Sequence, residues 1–515
     1  MVSENLIAEA EKQQENTTEE ENKKESSRAT KLRDLILRQN IEFAVDEAKE
    51  AYARIEIHGH YEVYNVKSQS FKDIVIELAE AEFNSVIAKN ALESALDSIG
   101  AKARRSKNEK NIAVRVKYLA EKRKIYLDLC NDKWQVIEID SKGWRILDNS
   151  PIWFKRTNDL DKLPTPINSN DNYTAISKLK KYINYTNDDN FDMYVAWLLS
   201  NLLTDVSVPI LILEGTAGVG KSFTSEILRS IIDPAKQLKT ISRVKPKPED
   251  IVLDVSKSRV LVYDNFSAGT ITAELSDLFA TIATNATAPK RALYTDDEII
   301  VVRLGRSLLF NGIDDLVKRE DLLSRSIVIN LEELTERKSE SKMRAQFERD
   351  HPYILGGLLN VASEALKNQG KSQFNEKQIR FTDFGRFVEN GAEAMQWQDD
   401  HFKAIYTNNV FKAKESLIQS NFFILALVEL LEKSYTKEIT HTATKLIEEV
   451  NKCEAVPLYV PKGAIPYANK VLDRLKRDKA LLNQLSIEYS ITKKVIFLIT
   501  RFQLKNSGAG WSINL

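Results

Sequence analysis

Between Val208 and Ile232 the chain reads as an apolar strand, a glycine-rich loop and an amphipathic helix. The run Val208-Pro209-Ile210-Leu211-Ile212-Leu213 carries no polar side chain and suits a strand buried on both faces. Gly215-Thr216-Ala217-Gly218-Val219-Gly220-Lys221-Ser222 follows and fills every position of G-x-x-x-x-G-K-[ST]. Behind it Phe223, Ile227, Leu228, Ile231 and Ile232 recur at helical spacing. Backbone N–H groups of such a loop can turn inward around polyphosphate, and the helix start adds partial positive charge. The pattern predicts a nucleoside triphosphate site, with ATP and Mg²⁺ as the expected ligands. Gly215, Thr216, Ala217, Gly218, Val219 and Gly220 form the cradle. Lys221 reaches the β- and γ-phosphates, and the Ser222 hydroxyl binds Mg²⁺.

Further motifs follow in order. Arg259-Val260-Leu261-Val262-Tyr263-Asp264-Asn265 is a buried strand ending in an acid, so Asp264 is the expected holder of the Mg²⁺ water shell. The next residue, Asn265, can position water but cannot accept its proton. The base is then another acid or Asp264 itself, or hydrolysis is slow. Lys290-Arg291, an acidic turn at Asp296-Asp297-Glu298, and Ile299 to Arg303 read as a β-hairpin. Arg306 to Asn311 is a strand ending in an amide, and Glu320 to Ser326, with Arg325, precedes the strand Ile327-Val328-Ile329.

This ordered set resembles the ATPase module of phage and integrative-element replication proteins. It is similar to superfamily 3 helicases and, through Leu322-Leu323-Ser324-Arg325, to minichromosome-maintenance helicases; the self-loading helicase of staphylococcal cassette elements is a near likeness. The resemblance is specific over about 190–335. It implies an AAA+ core in which Asn311 contacts the attacking water and Arg325 reaches the γ-phosphate held by a neighbouring subunit. It also implies a channel hairpin whose basic residues Lys290 and Arg291 follow a DNA backbone, with Arg303 and Arg306 as alternatives. Asn265 departs from the usual acidic pair. The expected function is a ring-forming, ATP-driven DNA helicase, a hexameric homo-oligomer with DNA and other replication proteins as partners. The alternative is a helicase loader or nucleotide switch that does not unwind. A primase–helicase is a weaker option, because no carboxylate triad stands out in 33–165.

The remaining chain divides by composition. Formal net charge is zero, so nucleic-acid binding must rest on local charge. Residues 1–32 are expected to be a disordered acidic tail. Residues 33–166 read as an α+β module. Helical periodicity runs from Lys31 through Ile41, Ala44, Val45 and Ala48, and an antiparallel meander is expected across Ile125 to Phe154. Within it, 101–124 holds ten basic side chains against two acidic ones; it could bind phosphates or dock a subunit. Residues 167–345 are the expected P-loop core, and 346–412 a helical lid or connector. Residues 413–515 are expected to be winged-helix-like. There, Lys470, Arg474 and Arg477 lie on the outer face of a helix and Lys493-Lys494 in a wing, all facing DNA. The fold class is thus α/β. Two cysteines, Cys130 and Cys453, offer no disulfide framework, and His58/His60 lack a third metal ligand. No apolar run approaches a membrane span, and a cytoplasmic location is expected.

Overall fold

The computed structural model of the chain describes residues 28–236, 246–266, 271–291, 299–313, 320–334, 336, 339–371, 379–460, 463–492 and 495–500. Most of the acidic segment 1–32 therefore lies outside the described residues. A helix, α1 (28–38), already runs across the expected boundary at 32. Its Leu32, Leu35 and Ile36 pack on an antiparallel sheet of β1 (Ile41–Val45), β2 (Ala51–Ile57) and β3 (His60–Asn65). Helices α2 (Gln69–Phe83) and α3 (Lys89–Arg105) complete this layer. The helical reading through 41–48 is corrected here. Ile41, Phe43 and Val45 suit a pleated surface, and five ladder pairs, Ile41↔Ile55 to Val45↔Ala51, hold them extended. His58 and Gly59 form the tight turn between β2 and β3, both at positive φ (50° and 83°). His58 is therefore off the strand, and His60 pairs with Glu62 at 2.8 Å.

Next come β4 (Ile112–Ala113), β5 (Val116–Leu119), β6 (Lys124–Asp128), β7 (Val136–Asp140), β8 (Gly143–Leu147) and β9 (Trp153–Phe154). β5 to β8 form an antiparallel meander in chain order, and β4 pairs with β9 in parallel. Alternating apolar residues with tight turns between them account for the meander.

The central unit contains α4 (Asn172–Ser177), α5 (Asp188–Ser200), β10 (Ile210–Glu214), α6 (Lys221–Ile232), α7 (Pro248–Val255), β11 (Val260–Phe266), α8 (Ala273–Ala283), the hairpin β12 (Thr287–Arg291)/β13 (Ile299–Arg303), β14 (Ser307–Gly312), α9 (Glu320–Leu323) and β15 (Ser326–Asn330). Four strands form a parallel sheet in the order β11-β14-β10-β15. Their near-continuous apolar sequences fit a sheet covered on both faces. Helices α10 (Glu340–Lys367), α11 (Thr382–Asn390) and α12 (His401–Gln419) follow.

The divisions drawn at 166 and 345 do not separate cores. Ile125, Leu127, Ile137 and Ile139 of the meander, Leu211 and Leu213 of β10, and Leu358, Leu359 and Leu366 of α10 belong to one buried cluster. Trp144 Nε1 donates to Asn360 Oδ1 at 2.9 Å, and Ser363 Oγ donates to the Asp140 carbonyl at 2.6 Å, tying the meander to α10.

The last segment runs α13 (Phe422–Lys433), β16 (Glu438–Thr442), α14 (Ala443–Val450), α15 (Val471–Arg477), α16 (Lys479–Gln484), β17 (Ile487–Thr492) and β18 (Val495–Thr500). Its antiparallel sheet has the order β16-β18-β17 and encloses a separate core of Phe423, Leu427, Leu446, Val471 and Leu475.

Candidate functional site

The parallel sheet brings the ends of β10, β11 and β14 together, with Leu213 opposite Asn311 and Tyr263 opposite Phe310. The loop 215–220 leaves β10 and turns directly into α6. Gly218 and Gly220 sit at φ 84° and 81°, and Gly220 is the N-cap of α6. A Cβ at Gly215 would lie 2.8 Å from the Leu331 carbonyl, so this position has room only for glycine. Lys221 is buried, and its Nζ donates to the carbonyls of Gly215 (2.7 Å) and Thr216 (2.6 Å), inside the loop it follows. Ser222 Oγ donates to Asp264 Oδ1 at 2.8 Å. The first turn of α6 and the end of β11 thus meet at a hydroxyl–carboxylate pair.

Asn311 is fully buried beside them. Its Oδ1 accepts from Asn265 N (3.0 Å), and its Nδ2 donates to Ser225 Oγ (2.7 Å). Both ends of the amide brace the site. Asn265 has φ 61° and an exposed side chain, and lies within the β11–β14 register shift between Tyr263 and Phe266. Asn tolerates this left-handed conformation better than most residues.

Arg325 lies elsewhere. Its carbonyl accepts from Ile210 N at 2.9 Å, so it stands where β10 begins, at the end of the sheet opposite the glycine loop. Its Nη1 donates to the Asp321 carbonyl at 2.6 Å and pairs with the Asp321 carboxylate, while its Nε is buried without a partner among the described residues. Arg380 Nη1 donates to Ser324 Oγ at 2.9 Å. Partial burial and then the neighbouring Arg325 hold Arg380 below the ordinary guanidinium value.

The expected nucleic-acid residues divide into three groups. Lys290 and Arg291 lie on β12 opposite Ile300 and Ile299, at the turn end of the hairpin; only their backbone is described. Arg303 pairs with Thr287 at the hairpin's base, and its side chain reaches Glu47 and Asp205, each at 3.5 Å. It braces the hairpin and is not at the tip. Arg306 is turned inward onto the carbonyls of Val255 (2.8 Å), Ser258 (3.0 Å) and Gly305 (2.7 Å), and burial pushes it down to about 10. Lys470 and Arg477 are exposed. Arg474 is corrected: its Nη2 donates to Asn421 Oδ1 at 2.9 Å and its Nε to Asp478, so it faces inward across the α13–α15 junction. Lys493 and Lys494 lie outside the described residues, between the paired ends Thr492 and Val495.

Two further groups hold the site and were missed from sequence. Asn184 Nδ2 donates to the carbonyls of Val219 and Glu332, both at 2.8 Å, pinning the glycine loop to the segment after β15. Asp233, at the end of α6, accepts from Arg259 N (2.8 Å), Val260 N (2.9 Å) and Arg115 Nε (2.9 Å). It joins α6, β11 and the meander layer in a fully buried contact. Only Arg259, a cation opening an apolar strand, left a signal. Its guanidinium donates to the Asn201 carbonyl at 3.0 Å, and burial pushes it down to about 9.

Residues 176–398 match the model of a family described as actinomycete integrative conjugative element replication protein. This span, which covers the glycine loop, the sheet and α10, is similar to a replication protein of a mobile element. Two solved structures, both of the apo A form of the NrS-1 C-terminal region, align with 12% and 14% identity. Each alignment covers 91% of this chain and 98% of theirs, with TM-scores of 0.40 and 0.37. No curated protein matches. Among the described residues no helix is long and apolar enough to cross a membrane.

Proposed function

We propose that this chain is an ATP-driven DNA helicase, serving replication of a mobile element and working as a ring with hydrolysis between subunits. The observation that carries this reading is the Ser222–Asp264 contact at 2.8 Å, beside a buried Lys221 folded into its own glycine loop. A lysine, a hydroxyl and a carboxylate converging at a helix N-terminus fit a triphosphate and a divalent cation. Ser222 and Asp264 would hold Mg²⁺, which supplies charge neutralisation at the phosphoryl oxygens. Lys221 and the loop N–H groups would bind phosphate oxygens, while Asn311 keeps β11 and α6 in register.

On this reading the core is a P-loop core of the AAA+ class. The order helix, strand, helix, helix pair, strand, strand in 422–500 supports a winged-helix domain. The hairpin, with its basic residues at the turn end, supports backbone tracking along DNA. The match to a replication-protein family over 176–398 supports the replication role.

DNA-stimulated ATP hydrolysis, lost in Lys221→Ala, is the expected result, together with strand displacement on a forked duplex. A DNA-indifferent ATPase would overturn the proposal. Asn265, an amide where a base is usual, favours the loader reading; DNA-stimulated turnover with no strand displacement would select it.

A further inference from the structure

The basic run at 101–107 has no part in the nucleotide site. It falls at the end of α3, where Lys102, Arg104 and Arg105 occupy the last turn and Lys107 lies just beyond. All four are exposed. Cations at a helix C-terminus suit its dipole, but that effect is confined to the last turn and amounts to about 0.3–1 kcal/mol each. It does not account for Lys107.

What sets the four apart is that they crowd into six residues with no acid among them. Other cations of this layer either are paired, as Lys67 with Asp97 (3.0 Å), Lys72 with Glu93 (2.6 Å), Lys110 with Glu42 (3.7 Å) and Lys49 with Glu109, or stand singly, as Lys31, Arg38 and Lys89 do. Lys102, Arg104, Arg105 and Lys107 have no ion-pair partner among the described residues. The helix positions three and four residues before Lys102, Arg104 and Arg105 hold Ser98, Ile99, Gly100, Ala101 and Lys102, none of them acidic.

The run also has a defined address. The Asn108 carbonyl accepts from Val45 N at 2.9 Å and Asn108 Nδ2 donates to the Phe43 carbonyl at 2.8 Å, fixing the segment against β1. The turn after β1 presents Glu47, which pairs with Arg303 at the base of the β12–β13 hairpin. Three carboxylates in this neighbourhood are already engaged, Glu47 by Arg303, Glu42 by Lys110 and Glu109 by Lys49. The run is thus tied to β1, the strand whose following turn meets the hairpin's base.

We infer that Lys102, Arg104, Arg105 and Lys107 form a second nucleic-acid surface, which grips duplex DNA by its phosphates where it approaches the hairpin. The inference rests on the proposed function only for the hairpin's role. Duplex is favoured over single strand by composition. No aromatic residue lies in 98–110 to stack an unpaired base, so the surface works by charge alone. Charge alone favours the duplex, with about one phosphate per 1.7 Å of axis.

The test uses the full chain without nucleotide. Wild type and the quadruple variant Lys102→Gln/Arg104→Gln/Arg105→Gln/Lys107→Gln are titrated with a fluorescent duplex of random sequence across a salt series. The slope of log K against log salt should shrink by about three to four in the variant, about 0.9 for each phosphate contact. Binding at 0.1 M salt should fall by roughly tenfold or more, while DNA-free ATP hydrolysis and the melting temperature stay unchanged. An unchanged duplex slope would overturn the inference, as would a loss confined to single strands. A changed oligomeric state in light scattering with the duplex slope intact would also overturn it and assign the run to subunit docking. Failure of the proposed function would appear differently, as turnover indifferent to DNA with the duplex slope still dependent on the run.

Discussion

At the scale of single residues, the side chains that hold the site are mostly those whose charge or hydrogen bonding is spent inward. His351 is an example. It lies on α10, stacks on Phe347 with ring centroids 4.9 Å apart, and its Nε2 is 3.3 Å from the Ile231 carbonyl of α6. Burial pushes its pKa down to about 4. The unfolded chain protonates this ring first as pH falls, so stability is lost from about pH 6.5 downward until the folded form protonates near pH 4. Between pH 7.5 and pH 5 the loss from this group is about 2 kcal/mol. The urea midpoint of wild type should therefore fall more than that of His351→Phe over this range. Equal falls in the two proteins would show that the ring is not held neutral by the fold. Asn265 and Arg474 show where residue-level reading reaches its limit. The amide at 265 was legible as a missing acid. Its left-handed backbone was not, because that arises from the β11–β14 register shift. Arg474 could have been read inward from Asp478 four residues on, but its bond to Asn421, 53 residues away, leaves no local trace.

At the scale of elements, periodicity served well for long helices and for the meander, and poorly for short strands whose partners lie in another part of the chain. β1 is five residues long and its apolar spacing fits both periods; only its pairing with β2 decides. The stretch from Leu163 to Pro166 reads as a linker by its prolines, yet the chain beyond it is seated on α10. Ile167 N donates to the Pro352 carbonyl at 2.9 Å, and Gly356 faces the Ile167 backbone. This gives α10 a testable property. In a helix interior Gly→Ala ordinarily stabilises by about 0.8–1.0 kcal/mol. At Gly356 a Cβ would stand 1.9 Å from the Ile167 carbonyl, a backbone atom that cannot rotate away. Gly356→Ala should instead destabilise by about 2 kcal/mol or more, as overpacking does. Gly357→Ala, whose nearest neighbour is the Ile176 side chain at 3.0 Å, should cost less. Denaturant midpoints of the two variants decide; a gain in stability at 356 would show that the linker yields.

At the scale of the whole molecule, the strand, glycine loop and helix of 208–232 were legible because they are contiguous in sequence. The frame around them was not. Arg115 and Asp233 meet across 118 residues, and the meander shares a core with α10 although about 200 residues separate them. The same distance argument bears on Arg325. It sits where β10 begins and the glycine loop sits where β10 ends, so five strand residues, about 17 Å, lie between them. On the proposed function, an arginine so placed cannot serve a triphosphate held by its own loop without dismantling the sheet. If it acts at all in hydrolysis it acts on a second copy of the chain. Lys221→Ala removes a cradle and leaves Arg325; Arg325→Ala removes the finger and leaves a cradle. Each alone should be nearly inactive. In an equal mixture about a quarter of the interfaces join an intact cradle to an intact Arg325, so turnover should recover to at most about that fraction of wild type. ATP hydrolysis measured across a mixing series, with light scattering to follow assembly, gives the answer. A mixture as inactive as its components, from variants that assemble normally, would remove Arg325 from the reaction and with it the case for hydrolysis between subunits.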